Sequence, residues 1–299
     1  MVRLITWPVA FLGCVAALSS AREEESAQGE SCATSDWHIP DDEYALCNVG
    51  SSCREEFRAA NGSLSDMWPE ASVNIRQERV RSERNRLSLN EYQPPLVPKF
   101  TEIGYKKEKL DPELYEYLMK WYDNTSVRRQ VAEKWPPDNT YVNHWKVGTV
   151  MVNAPAMVHQ RLFDGLQPLM EEWAGVPLKS TACYGVRLYY RGSVLANHVD
   201  RIDTHVISAI INVAQTNLDE DWPLYVRGHD GVARDIFIEP GEIIFYESAS
   251  VLHGRPETFR GESFANIFVH FAPTGGWTVT AADVSRSARE GARQKAREA

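Results

Sequence analysis

The 299-residue chain has no CxxC pair, no HExxH stretch and only five cysteines. Without CxxC a zinc knuckle is not expected, and without HExxH a zinc hydrolase lacks the helper base that activates its water. Basic residues are in deficit, 32 Lys and Arg against 41 Asp and Glu, for a net charge of −9. An acidic chain repels a phosphate backbone, so nucleic acid is not an expected partner. Beyond Leu18 no run is apolar enough to cross a bilayer. What is present is ordinary globular material: 43% hydrophobic and 10% aromatic residues, enough for one large domain or two modest ones.

The first residues do carry a signal. Arg3 precedes an apolar run from Leu4 to Leu18, and small residues end at Ala21. This predicts a cleaved secretory signal peptide over 1–21, with an uncleaved single-pass anchor as the alternative. The end "QKAREA" is not a KDEL-type retention signal. The expected location is therefore the secretory pathway, either the endoplasmic reticulum or Golgi lumen or outside the cell, with no stable membrane span after cleavage. Cys32, Cys47, Cys53 and Cys183 remain, and in an oxidising compartment they can form one or two disulfides. Sequons at Asn61 and Asn124 agree with a glycoprotein.

Residues 22–99 show no sustained periodicity. The run "QERVRSERNR" reads as a solvated face, and Pro94, Pro95 and Pro98 as an extended linker. Together they predict a flexible, cysteine-bearing N-terminal region. At the other end, 282–299 is polar all round and is expected to fray or project, without a catalytic role.

Between 100 and 281 the patterns become regular. Asp111 as N-cap and Pro112 at the first position open a helix with Leu114, Leu118 and Trp121 on one face. Val158, Leu162, Leu166, Met170 and Trp173 mark a second helix that Gly175 ends and Pro168 should kink or split. From Ala182 onward short runs rich in Val, Ile, Phe and Tyr alternate with turns such as "EPGE". Helices followed by many short strands predict a mainly β fold with supporting helices (α+β), built on a jelly roll.

Within that run "HVD" puts His198 and Asp200 two apart, on one side of an extended strand. A third ligand would complete a facial triad, which suits non-haem Fe(II) and leaves open coordination positions. The downstream candidates are His205, His229, His253 and His270. His205 and His270 lie inside apolar strand patterns and read as core or face residues, and His229 lies in a turn. His253, in "LHG" directly after a strand, can return across the barrel mouth to His198 and Asp200. His159 reads as a packing or surface residue. The aromatic stretch "TYVNHW" (140–145) reads as a packing strand, with a substrate lid as the alternative.

The pattern "HVD", "EPGEIIFYES", "LHG", "FANIFVHF" resembles the Fe(II)/2-oxoglutarate-dependent dioxygenases, and within them the prolyl 4-hydroxylase alpha-subunit-like group, over roughly Phe100 to Pro273. The resemblance implies a double-stranded β-helix catalytic core with iron held by His198, Asp200 and His253. It implies 2-oxoglutarate and O2 as co-substrates, ascorbate as an accessory reductant, and hydroxylation of an unactivated C–H bond, with peptidyl proline as leading substrate. A free amino acid or other small molecule is the alternative substrate. Halogenases of this class replace the carboxylate ligand, so Asp200 argues for hydroxylation. Tyr189 stands where a tyrosine of the family reaches the co-substrate. The family also places a Lys or Arg about nine or ten residues after the distal histidine to pair with the far carboxylate, a task that suits a guanidinium. Here those positions hold Glu262 and Ser263. Arg260 is the nearest replacement, with Arg187, Arg191 and Arg255 as other sources. A glutamate facing that carboxylate would repel it, which motivates a competing expectation: a catalytically impaired jelly-roll binding module that keeps its metal site. Asn197, Arg201, Asp203 and Thr204 flank the motif, where Asp203 would orient a ligand, touch substrate or cap a turn. Oligomeric state is not legible.

Overall fold

A jelly roll needs strands whose side chains alternate between two buried faces, and the apolar runs here supply both. The computed structural model describes residues 72–125, 130–133 and 147–298, all within one structural unit, residues 38–299. The predicted signal peptide, Cys32, Cys47, Cys53, Asn61 and "TYVNHW" lie outside the described residues.

Helix α1 (Val73–Tyr92) is followed by a 3-10 turn at Pro94–Leu96, β1 (Tyr105–Lys109), α2 (Pro112–Thr125), β2 (Gln130–Ala132), β3 (Val150–Asn153) and α3 (Ala156–Ala174). Then come β4 (Leu178–Tyr190), β5 (Leu195–His198), β6 (Ile207–Leu218), β7 (Leu224–Arg227), β8 (Ala233–Ile236), β9 (Glu242–Tyr246), β10 (Leu252–Arg255), β11 (Gly261–Pro273) and α4 (Ala281–Glu298). A seven-stranded sheet runs β1-β9-β6-β11-β4-β3-β2, and a four-stranded sheet runs β5-β10-β7-β8. Every pairing is antiparallel. The fold is a double-stranded β-helix with supporting helices, as the strand pattern predicts.

Period two sorts the large sheet. Ile207, Ala209 and Ile211 of β6, Ile243 and Phe245 of β9, and Ala265, Ile267 and Val269 of β11 share a core with α2 and α3. The intervening Ile210, Ile244, Tyr246 and Phe264 pack instead with Leu224, Val226 and Ile236 of the small sheet. Each fully buried side chain of this kind contributes about 1.5–3 kcal/mol. The helices follow their stripes: Leu114 and Leu118 of α2, and Val158, Leu162, Leu166 and Met170 of α3, are buried. Asp111 Oδ1 accepts from Leu114 N at 2.9 Å, the cap its position predicts. Gly175 closes α3 in the left-handed region at φ +69°.

Three expectations change. Pro168 neither splits nor ends α3, which continues to Ala174. Pro168 is exposed, as is Asp164, whose carbonyl loses its partner, so water can satisfy that group. The span taken as flexible region and linker contains α1, which carries four buried residues, Ser82, Glu83, Arg86 and Leu87. The C-terminal segment is α4, and it docks on α1. Lys295 Nζ meets Glu91 Oε1 at 2.7 Å, and Gly291 lies where any side chain would strike Tyr92. Polar composition hid how both helices dock, because they pack largely through polar contacts to each other and to the barrel, with Val284 of α4 and Leu89 of α1 reaching the apolar core. Among the described residues no helix is long and apolar enough to cross a membrane. Cys183 is a buried free thiol.

Candidate metal centre

His198 ends β5 and His253 lies in β10, and the antiparallel pairing sets them directly opposite each other. Their ring centroids are 4.5 Å apart. Asp200 follows the strand end and turns its carboxylate between them, with Oδ1 3.5 Å from His198 Nε2 and Oδ2 3.9 Å from His253 Nε2. One ligand atom from each of the three lies within 4.8 Å of the others. The glycine of "LHG" permits this approach, since a Cβ on Gly254 would meet Asn197 Oδ1 at 2.5 Å.

Second partners settle which nitrogen faces inward. His198 Nδ1 lies 2.8 Å from the Ala196 carbonyl, and His253 Nδ1 2.8 Å from the Val251 carbonyl. A carbonyl oxygen only accepts, so both Nδ1 atoms carry a proton and it is the Nε2 atoms that face the common point as the available donors to a metal. Burial, reinforced by the charge of His198, pulls His253 down to about 4, so its imidazole is neutral at pH 7. Burial alone would raise Asp200, but a proton on His198 Nε2, which a metal at the common point would displace, and the nearby His253 and His270 hold its carboxyl well below the usual carboxylate range. Two neutral imidazoles and one carboxylate are the donor set of a facial triad.

The cluster borders a cavity of about 340 Å³ between the sheets. Tyr246 stands edge-on to His253 with centroids 4.7 Å apart and buttresses its ring. Arg255, two residues beyond His253 on the same side of β10, also lines the cavity and is 1% exposed. Its guanidinium lies 4.9 Å from the Trp222 ring and 4.5 Å from the Phe264 ring, and Nη1 donates to the Trp222 carbonyl. Nη2 has no hydrogen-bond partner among the described residues. Burial lowers this group only to about 10, so it stays charged at neutral pH. Tyr189 does not line the cavity: it is buried behind it, edge-on to the Trp222 ring at 5.1 Å, where its hydroxyl helps to keep Arg187 charged.

The other predicted site residue falls elsewhere. Arg260 is a surface residue with a side chain 64% exposed, 3.4 Å from Glu220, and it does not line the cavity. Glu262 is also exposed and accepts from Asn217 Nδ2 at 2.7 Å. On β11 the inward side chains are Phe264, Phe268 and His270, so the expected register is displaced. Neither the replacement Arg260 nor the repulsive Glu262 faces the site. Arg191 pairs with Asp219 at the surface, and Arg187 lines the cavity but is engaged by Glu133 at 2.8 Å. His229 is committed to Glu247 at 2.9 Å, and Asp203 is exposed.

His205 and His270, read from the sequence as core or face residues, both line the cavity with ring centroids 3.8 Å apart. Ser248 Oγ donates to the His205 carbonyl at 2.8 Å, so its contact with Ser208 Oγ at 2.6 Å needs the Ser208 proton. His270 Nδ1, 2.7 Å from Ser208 Oγ, is therefore the protonated nitrogen. Its Nε2 remains an acceptor. The signal for Arg255 was available: it stands two residues beyond His253 within one strand, where a period of two puts both on the same side.

No protein-family model matches the chain, and no curated protein matches it. Solved structures of similar shape include a Pseudomonas putida prolyl-4-hydroxylase, 17% identical, covering 62% of this chain and 100% of its own, with a TM-score of 0.40. A Burkholderia pseudomallei oxidoreductase of the 2OG-Fe(II) oxygenase family is 12% identical, with coverages of 56% and 84% and a TM-score of 0.44. HygX from Streptomyces hygroscopicus, with nickel, 2-oxoglutarate and hygromycin B bound, is 13% identical, with coverages of 58% and 84% and a TM-score of 0.42.

Proposed function

We propose that the chain is an Fe(II)/2-oxoglutarate-dependent dioxygenase that hydroxylates an unactivated C–H bond. One observation carries this reading. Three inward-facing metal donors and a buried guanidinium with an unpaired N–H edge border a single cavity. An unpaired buried cation is costly unless something supplies its counter-charge. A carboxylate does so, and Arg255 can offer it two N–H groups in parallel from Nη2 and its neighbouring nitrogens.

The residues fit the group they would hold. His198 and His253 contribute neutral Nε2 donors, and Asp200 contributes the negative charge that favours a divalent cation. Arg255, in place of Arg260, would hold the far carboxylate of a 2-oxo diacid. When bound, iron and 2-oxoglutarate would use O2 to insert one oxygen atom into a substrate C–H bond while the diacid loses carbon dioxide. The chain's own contribution is orientation and exclusion of water. Ile210, Leu224, Tyr246 and Phe268 supply apolar wall, Trp222 and Phe264 back the Arg255 guanidinium, and His205 and His270 line the wall with Asp200. Peptidyl proline is the first substrate to try and a small molecule the second, within the secretory pathway that the N-terminal apolar run supports. Asn124, exposed in the last turns of α2, is open to glycosylation there.

The test is an anaerobic titration of the Fe(II)-loaded protein with 2-oxoglutarate, recording the visible charge-transfer band of the chelate. A band that saturates in the wild type and is absent in His198→Ala is the expected result. Tightly bound iron with no band would instead support the impaired binding module, although Glu262, which motivated it, faces solvent. Succinate release with proline-containing peptides or small molecules then sorts the substrates.

A further inference from the structure

Helix α1 lies more than a hundred residues before "HVD" in sequence, yet its side chains end on the backbone of that motif. Arg86 Nη1 and Asn90 Nδ2 both donate to the Asn197 carbonyl, at 2.5 and 3.0 Å. Asn90 Oδ1 accepts from Val199 N at 3.1 Å. Gln93, at the C-cap, uses one amide nitrogen twice, donating to the Asp200 carbonyl at 2.7 Å and the Ala249 carbonyl at 2.8 Å. Arg86 is 2% exposed and Gln93 1% exposed. Glu83, 4% exposed, fixes the guanidinium through Nε at 2.9 Å and Nη2 at 2.5 Å, which leaves Nη1 aimed at Asn197.

A buried ion pair of this kind contributes little net stability, because both charges are desolvated. Hydrophobic docking would be the cheaper way to attach a helix, and α1 has few apolar residues to offer. What the polar contacts supply is placement. They hold the segment between His198 and Asp200, and through Ala249 they join it to the turn that leads into β10 and His253. Asp200 N also donates to the Ser248 carbonyl at 2.8 Å, so Gln93 closes a link that the backbone begins.

We infer that α1 is a splint for the metal site, with Arg86, Asn90 and Gln93 as positioning residues that set Asp200 against His198 and His253. The inference rests on the metal reading above for the identity of the site, and its test separates the two. Co(II) is titrated into the metal-free full-length chain and its visible d–d absorption followed. Gln93→Ala and Asn90→Ala should weaken Co(II) binding by about tenfold to a hundredfold, the range for residues that orient ligands. Lys295→Ala, which loosens α1 from α4 without touching the motif, should stay within about twofold of wild type. Hydrogen exchange in the metal-free protein gives a second readout. Val199 N has Asn90 Oδ1 as its partner, so Asn90→Ala should speed exchange at Val199 by about tenfold or more while β6 amides keep their protection.

Equal Co(II) affinity in wild type, Gln93→Ala and Asn90→Ala would overturn the splint, as would an equal loss in Lys295→Ala, which would mean general helix docking. A wild type that takes up no Co(II) would sink the metal reading instead. Exchange at Val199 then decides the splint alone, and an unchanged rate in Asn90→Ala overturns it.

Discussion

The two faces of the large sheet are built from the same strands and do different work. On the face toward α2 and α3, β6, β9 and β11 present Ile, Val, Ala and Phe, and the helices cover them with Leu114, Leu118, Val158, Leu162, Leu166 and Met170. One residue further along each strand, the side chains turn toward the small sheet, where Tyr246, Ser208 and His270 stand among the apolar residues. Among the described residues, buried polar atoms without hydrogen-bond partners also occur here, including the Tyr189 hydroxyl and Arg255 Nη2. Unsatisfied buried polar groups are rare in folded proteins because each costs about 1–3 kcal/mol. The polar side chains that line the cavity, His198, Asp200, His253, Arg255 and His270, separate the half of the barrel that holds the fold from the half arranged to receive something. A period of two makes that division available at no cost in chain length.

Substitutions on the two faces should therefore fail differently. The largest effect is expected from His253→Ala, which removes a metal donor and should abolish Fe(II)-dependent turnover while the circular dichroism spectrum stays native. Retained turnover would break the link between this cluster and the chemistry. Leu162→Ala, beneath the opposite face, should cost about 2–5 kcal/mol in denaturant unfolding and leave turnover per folded molecule unchanged. Arg255→Ala should weaken 2-oxoglutarate binding about tenfold to a hundredfold without loss of iron, the value of a charged hydrogen-bonded contact. Arg260→Ala, only five residues on, should do neither, and a reversed result would return the far carboxylate to the surface residue.

The smallest effect concerns pH and lies outside both faces. Burial would raise Glu247, but His229, the Phe100 amide and Thr101 hold its carboxyl below the ordinary value of 4.5. A folded-state value below the unfolded one means that its contribution is present above pH 4.5 and is lost as the pH falls through the folded value. Melting temperature should fall between about pH 5 and pH 3 more steeply in wild type than in Glu247→Gln. Parallel curves would show that the clamp does not tie β1 to the barrel.

Much of this molecule was legible in the residues. The stripes of α2 and α3, the cap at Asp111, the stop at Gly175 and the alternating strands follow from local periodicity, which each segment carries by itself. The cluster of His198, Asp200 and His253 was also legible, because "HVD" keeps two ligand types close together at the end of a strand and "LHG" follows a strand that can fold back beside it. Arg260 illustrates the opposite case. Counting residues from His253 assumes one continuous strand, but β10 ends at Arg255 and β11 begins at Gly261, so Arg260 falls in the connection between them, 3.4 Å from Glu220 at the surface. Arg255 stands only two residues beyond His253 on the same short strand, and although the pairing of β10 with β5 shifts between them, both side chains line the cavity.

Sequence alone determined the elements, the two-faced strands and the chemistry of the donor set, since these depend on neighbours one to four residues away. Tertiary structure alone decided which guanidinium enters the cavity, that Glu262 faces solvent, and that a charged run ending at Arg86 becomes the buried support of a motif at Asn197. Those outcomes depend on which distant backbone carbonyls are left to be satisfied once the sheets have closed, and no local pattern records them.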